Sequence, residues 1–504
     1  MKSRGLLPLL YLSFIALLYG NSLTGGFLID DAFLVRDNPF IESFSHLLSY
    51  FSSANEEFGR PVRLLSFYFD TAIFGKNPAG YHLSNILYYL LFSYLAFLFV
   101  ERLFEKRFLS ITVALLFIAH PLHTEGVAYI SGRKDILGGI FCFAALISFL
   151  RYLSDSKRRD LLAVALFFLM AIASKEIYAI LPLLLVMTAY YRGEGLKRYA
   201  GILAGFMLVA GIFLLYVILF RNRVLFDYFH TIPVYGAGKG MNLPTAIKIC
   251  GYIFYLTFIP QSLSADYTFN VIKRVSFFDL SFLISMAMLV SAAAGAYLSR
   301  RREREISFGL FWMLICLLPV CHIITYPEII SERSLIFCSF GTCLVVGKLL
   351  MMMRSRKAGI LLLILILLAF SAKTITRNAV WKDDLSLWSA TVGTVPHCAR
   401  ARYNLGIALA RRCRFQEAEQ QFLSSLAINP PELITVPDYS YDALLNLANT
   451  CAVMGRFGTA RQYYRLLLAH DPRNQTALRN LHILKEASIQ PPCQRPVLPT
   501  PRSQ

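Results

Sequence analysis

A chain of 504 residues that is 56% hydrophobic, 14% aromatic and only 16% charged is far too apolar for a soluble globular protein of its size. Its formal net charge of +19 falls largely in short clusters between apolar runs, so nucleic acid is excluded as a partner and a polytopic membrane protein is expected. The clusters are Lys2 and Arg4; Arg102, Lys106 and Arg107; Arg151 and Lys157 to Arg159; Arg192, Lys197 and Arg198; Arg300 to Arg302 and Arg304; and Arg354, Arg356 and Lys357. Each lies at one end of an apolar stretch, as the positive-inside rule requires.

In chain order, the first apolar run is Leu6 to Tyr19. A cleaved signal peptide competes with this reading, but no small-x-small site precedes the next acidic residues, and an uncleaved first helix is expected. At its far end stands FLIDD, Phe27 to Asp31, with two adjacent carboxylates next to lipid but wet. With the first run near 6–20, apolar runs near 81–100, 108–120, 135–153, 160–173, 176–191, 199–220, 276–298, 306–324, 333–352 and 358–376 predict about eleven transmembrane helices. The shorter ones need burial among neighbours or a locally thinned bilayer. Thr245 to Leu263 is also apolar, but counting it as a span would export Ser299 to Glu305 and invert the charge bias. It is therefore expected as a re-entrant or interfacial helix on the outer face. The N-terminus and every basic cluster then face the cytoplasm. The loop 21–80, the 120–135 connection, the Ser174-Lys175-Glu176 turn, the segment 221–275, the TYPEIISER loop and the C-terminal region face outward.

From about Trp381 the composition turns soluble. Pro396 to Pro430 covers one 34-residue period of the tetratricopeptide repeat (TPR), with Leu405, Gly406, Phe415, Ala418, Phe422 and Pro430 where two helices pack closely. Leu447, Gly455, Phe457, Ala460, Tyr464 and Pro472 repeat those offsets after an insertion around Pro431 to Tyr439. The expected fold class is all-α: a membrane domain over 1–378, a TPR α-solenoid over 379–487 and a Pro-rich disordered tail over 488–504. A concave solenoid face suits a protein or peptide acceptor, the alternative being a simple cap on the membrane domain. The ten cysteines are scattered, with no zinc spacing, and no disulfide is assigned.

Asp30 and Asp31 suit a general base, metal ligands or a helix cap. Arg60 and Arg63, three residues apart in FGRPVR, suit phosphate oxygens, which at a membrane surface belong to lipid. In YHLSN, His82 and Asn85 share one helix face. The densest polar stretch is HPLHTEGVAYISGRKD. Its His120, His123 and Glu125 resemble a metal cluster without zincin spacing, so metal ligation is not favoured. Together with Arg133, Lys134 and Asp135 they form a polar rim suited to a phosphorylated leaving group. Lys175 with Glu176 and Glu332 with Arg333 are candidate ion pairs at the same level.

FLIDD, a DNP element, FGRPVR, GYHLSNIL, AHPLHTEGVAYISGRKDIL and ASKE, in this order and ahead of the repeats, resemble the transmembrane-and-tetratricopeptide O-mannosyltransferases (TMTC) and their bacterial relatives. The motifs cover about residues 20–190 and the repeats 381–485; between them the likeness rests on the span pattern. The resemblance implies a GT-C glycosyltransferase fold and a sugar donor, mannose or another hexose, on a polyprenyl phosphate. Asp30 or Asp31 would act as base on a Ser or Thr hydroxyl of a protein. Arg60, Arg63, Arg133, Lys134, Lys175 and Arg333 would stabilise the lipid phosphate, with His82, His120 and His123 as hydrogen-bond donors. Asn85, Glu125, Asp135, Glu176 and Glu332 would support them, and use of a divalent metal stays open. A bacterial inner membrane is favoured, with the repeats periplasmic or lumenal. The competing functions are transfer to a glycan or glycolipid, and a non-enzymatic membrane-anchored TPR scaffold or transporter.

Overall fold

The computed structural model describes residues 6–52, 60–221, 242–268, 271–321, 329–428 and 439–487. The expected tail 488–504, most of the repeat insertion, Pro430 and part of the TYPEIISER loop lie outside the described residues.

Every regular element among the described residues is helical. Among the described residues, six helices are long and apolar enough to cross a bilayer: Pro78–Phe104, Ile130–Asp155, Leu196–Leu219, Leu280–Ser299, Glu332–Met351 and Arg356–Val380. A seventh span arises if Arg107–Ala119 and Pro121–Ala128, which meet at a 54° bend, count as one. The protein is thus a multi-pass membrane protein by length and composition, with fewer full-length spans than the eleven expected. The shortfall has a physical cause. Leu6–Tyr19, Arg158–Ser174, Leu181–Arg192 and Arg304–Leu317 are 14, 17, 12 and 14 residues long. At a rise of about 1.5 Å per residue they fall short of a hydrocarbon core of roughly 30 Å. The run 176–191 opens with a 3-10 turn, Glu176–Ile180, before its helix begins beside Pro182, and 306–324 stops in a turn holding Pro319. The apolar stretch near 245 is a 16-residue helix, Leu243–Phe258, capped by the Asn242 side chain.

Aromatic packing stiffens the bundle. Trp312 lies 4.7 Å from Phe340 and 5.7 Å from Phe143, ring centre to ring centre, and its indole donates to the Phe337 carbonyl at 2.7 Å. Basic residues of the described clusters gather at one end. Lys106 bonds Glu305, Lys348 lies 2.9 Å from Glu303, and Arg192 lies 2.9 Å from Glu105. Residues from the opposite ends of the same helices, such as His120 and Arg133, belong to the other end of the bundle.

Beyond the last span, the helices Asp384–Thr394, Ala399–Arg411, Phe415–Ile428, Tyr439–Val453, Phe457–His470 and Gln475–Ala487 pack each on the next. Leu405, Ala418, Phe422, Leu447, Ala460 and Tyr464 are all buried. Gly406 is required by close approach, since a Cβ there would stand 2.6 Å from the Phe422 ring. The apolar core of these helices also takes in Leu28, Ala128 and Tyr129.

Candidate functional site

The acidic motif forms a tight turn after the first helix. The Asp31 N–H donates to the Leu28 carbonyl at 2.8 Å, which makes Ile29 and Asp30 the two central residues. Ile29 has φ +48°, a value that glycine favours and a β-branched residue resists. Such strain costs of order 1–3 kcal/mol and persists only where the surroundings over-determine it. Gly25 lets the surroundings close in, because a Cβ there would meet the His82 imidazole at 2.9 Å. His82 therefore packs directly against the turn.

The two carboxylates differ in kind. Asp31 is 0% exposed and its oxygens serve the fold. Oδ1 accepts from the Ser131 N–H at 2.9 Å and from its hydroxyl at 2.5 Å, and Oδ2 accepts from the Leu28 N–H at 3.1 Å. Burial pushes the Asp31 carboxyl up to about 7, against the pull of these hydrogen bonds. Asp30 is exposed, and its N–H donates to the Tyr129 hydroxyl at 3.3 Å.

The cations expected to hold phosphate separate in the same way. Arg133 is 0% exposed and turns inward, with NH1 2.5 Å from Asp70, Nε 2.8 Å from the Asn85 carbonyl oxygen and NH2 3.0 Å from the Tyr81 carbonyl. Its guanidinium is thus engaged by protein groups on three sides. His120 and His123 are likewise internal. The His120 Nε2 pairs with the Thr257 carbonyl at 2.9 Å, while His123 lies 2.6 Å from the Tyr89 hydroxyl and 2.7 Å from that of Ser339.

Arg60, Arg63, Lys134, Lys175 and Arg333 converge. The expected pairs of sequence neighbours give way to long-range ones. Arg60 bonds Glu176 at 2.9 Å, Lys175 bonds Asp135 at 2.5 Å and the Ser334 hydroxyl at 2.6 Å, and Arg333 bonds Glu125. Glu332 turns away to Arg377 at 3.4 Å and to the Tyr267 hydroxyl at 2.7 Å. Lys134 is 6% exposed and stands within electrostatic reach of Arg60, Arg333, Arg63 and Lys175. Among the described residues it has no ion pair and no hydrogen bond from its ammonium. Burial, and then Arg60, push the Arg63 guanidinium down to about 10, while Tyr129 and Asp30 act on it in the opposite sense. Arg63 thus links the cation group to the exposed acid of the turn. Among the described residues, these five cations gather with three carboxylates, Glu125, Asp135 and Glu176, a cluster whose guanidinium and ammonium groups suit an anion. Among the described residues, no three His, Cys, Asp or Glu side chains come together as metal ligands.

Tyr129, Ser131, Asp70 and Arg377 escaped the sequence reading. The first two lie inside the polar stretch already singled out, and Asp70 is a lone carboxylate in an aromatic helix, which was a usable signal.

The chain is 26% identical to the Caenorhabditis elegans protein O-mannosyl-transferase F38B6.6, over 85% of its own length and 63% of that protein's. It is 25% identical to mouse protein O-mannosyl-transferase TMTC3 over 92% of its own length and 55% of that protein's, and 25% identical to the human TMTC3 protein over 90% and 54%. It therefore spans little more than half the length of these relatives. No protein-family model matches the chain, and no solved structure does.

Proposed function

We propose, from homology to the TMTC protein O-mannosyl-transferases as the premise, that this chain is a membrane glycosyltransferase that moves a hexose from a polyprenyl phosphate to a Ser or Thr hydroxyl of a protein. The names of the relatives supply the transfer of mannose to protein. The observation that carries the chemistry is the exposed Asp30 within electrostatic reach of Arg63, which belongs to a buried cluster of cations whose Lys134 has no ion pair among the described residues.

Asp30 removes the proton from the attacking hydroxyl as its oxygen forms a bond to the anomeric carbon. The bond from that carbon to the lipid phosphate oxygen breaks, and the electron pair leaves with the phosphate. Negative charge grows on that phosphate during the reaction, so pre-placed cations stabilise the transition state more than the ground state. Lys134, Arg63, Arg60, Lys175 and Arg333 fill that role, and attack opposite the leaving group inverts the anomeric centre. The C-terminal helices act as a short TPR solenoid that binds the acceptor, and the site opens on the periplasmic or lumenal face.

The test is transfer of labelled mannose from polyprenyl phosphate to a Ser/Thr peptide in membranes containing the protein. Asp30→Asn should lower the rate by about 10²- to 10⁴-fold while leaving the protein folded. A folded D30N variant of normal activity would remove Asp30 from the mechanism.

A further inference from the structure

The exposed acid sits on a strained turn, and the segment that begins the C-terminal helices lies directly against that turn. The Gly26 N–H, at the entrance to the turn, donates to the Lys382 carbonyl at 3.0 Å. The Trp381 indole stacks on the Tyr129 ring, with centres 5.6 Å apart and planes 25° from parallel. The Tyr129 hydroxyl in turn accepts the Asp30 N–H. Leu28, inside the turn, is part of the same apolar core as Trp381, Leu387, Trp388 and Leu405. The same junction also reaches the cation pocket. The Arg377 guanidinium lies 5.9 Å from the Trp381 ring centre and pairs with Glu332, the neighbour of Arg333. A second clasp ties the C-terminal helices to the outer loop, where Arg400 bonds Asp266 and the Thr268 hydroxyl lies 3.4 Å from the Cys398 sulfur.

From these contacts we infer that Trp381 is a positioning residue for Asp30: through Tyr129, the C-terminal helices hold the acidic turn in its strained, reactive shape. This goes beyond acceptor binding, and it rests on the assignment of Asp30 as base. Ile29 keeps φ +48° only because neighbours on both sides enforce it, and one of those sides is the C-terminal segment. Release of the Trp381 face lets the turn relax, and Asp30 loses its distance and direction to the acceptor hydroxyl. A misplacement of about 1 Å at a reacting group lowers a rate by about 10²-fold.

The experiment uses the full chain in detergent or native membranes, with Trp381→Ala, Trp381→Phe and Tyr129→Phe. Hydrogen exchange of the 24–36 peptide is measured together with kcat and the KM values for mannosyl polyprenyl phosphate and a Ser/Thr peptide. W381A should speed exchange in 24–36 and lower kcat by about 10²-fold with the donor KM unchanged, while W381F, which keeps a stacking ring, should recover most of both. Y129F removes one oxygen without opening a cavity, so it decides the matter if W381A does not fold, and it should also speed exchange. Wild-type exchange and kcat in W381A and Y129F overturn the proposal, as does a rise in acceptor KM alone with exchange unchanged. Loss of activity in D30N alongside normal W381A would sink the positioning role only. An active D30N would sink the base, while the exchange data still report on the turn.

Discussion

The two ends of the helical bundle handle charge in opposite ways. At the basic end, Arg192 and Lys157 meet carboxylates at the rim, with half or more of one partner's side chain left in water. At the other end, Arg133, Asp70, Asp135, Lys175 and Glu332 are almost wholly enclosed. Exposed pairs contribute little to stability, whereas burial of an ion costs several kcal/mol before any partner offsets it. Charge at the basic end needs only its sign, which orients the spans. Charge at the enclosed end needs its position as well as its sign, because a buried ion is tolerated only where its partner stands within reach.

The sharpest way to break this contrast is to remove one partner from an enclosed pair. Asp70→Asn leaves the Arg133 guanidinium buried with its other neighbours but no counter-charge. The expected loss is about 3–5 kcal/mol, read as a fall in folded yield and in thermal midpoint in detergent. Replacing both, as in Asp70→Leu with Arg133→Met, should recover most of the loss, because two apolar side chains leave no orphan charge. A D70N variant as stable as wild type would mean that water reaches this pair and that the two ends do not differ.

The acidic turn offers a milder test through pH. Asp31 is held near 7 in the folded chain, above the ordinary carboxyl value of 3.8. Between those values the native state binds more protons than the unfolded one, so stability falls as pH rises through the window. The slope is at most about 1.4 kcal/mol per pH unit for this one group. Thermal midpoints from pH 4 to 8 should therefore decline more steeply in wild type than in Asp31→Asn. Parallel curves would show that the hydrogen bonds from Ser131 and Leu28 outweigh burial.

What was legible in the sequence follows the same division. The basic clusters, the acidic motif and the cationic stretch around Arg133 could be found because they are local in the chain. The pairing of the charges could not. Lys175 and Glu176, or Glu332 and Arg333, are adjacent and therefore point in different directions, and their partners lie 40 to 208 residues away. Nor could composition separate Asp30 from Asp31, since only the fold brings Ser131 onto one of them. The span count exceeds the number of full-length helices among the described residues for a related reason. Hydropathy reads length along the chain, while Pro182, Pro319 and the Lys175 break shorten the helices in ways that an apolar average does not register. The close approach of Gly406 to Phe422 was legible because the two lie within one local helix pair.

The smallest effect is expected where the pair is most exposed. Arg192 and Glu105 lie 2.9 Å apart with side chains 32% and 71% exposed, and Arg192 also reaches the Arg102 carbonyl at 3.5 Å. Water screens such a pair and ordering two long side chains offsets much of the attraction, so Arg192→Ala should cost no more than about 1 kcal/mol. Mannosyl transfer should be unaltered, since the residue lies at the end of the bundle remote from Asp30. A loss of several kcal/mol in the thermal midpoint would place this pair with the enclosed ones. A loss of transfer at normal stability would instead mean that the basic end takes part in catalysis, and the division between an end that orients and an end that reacts would fail.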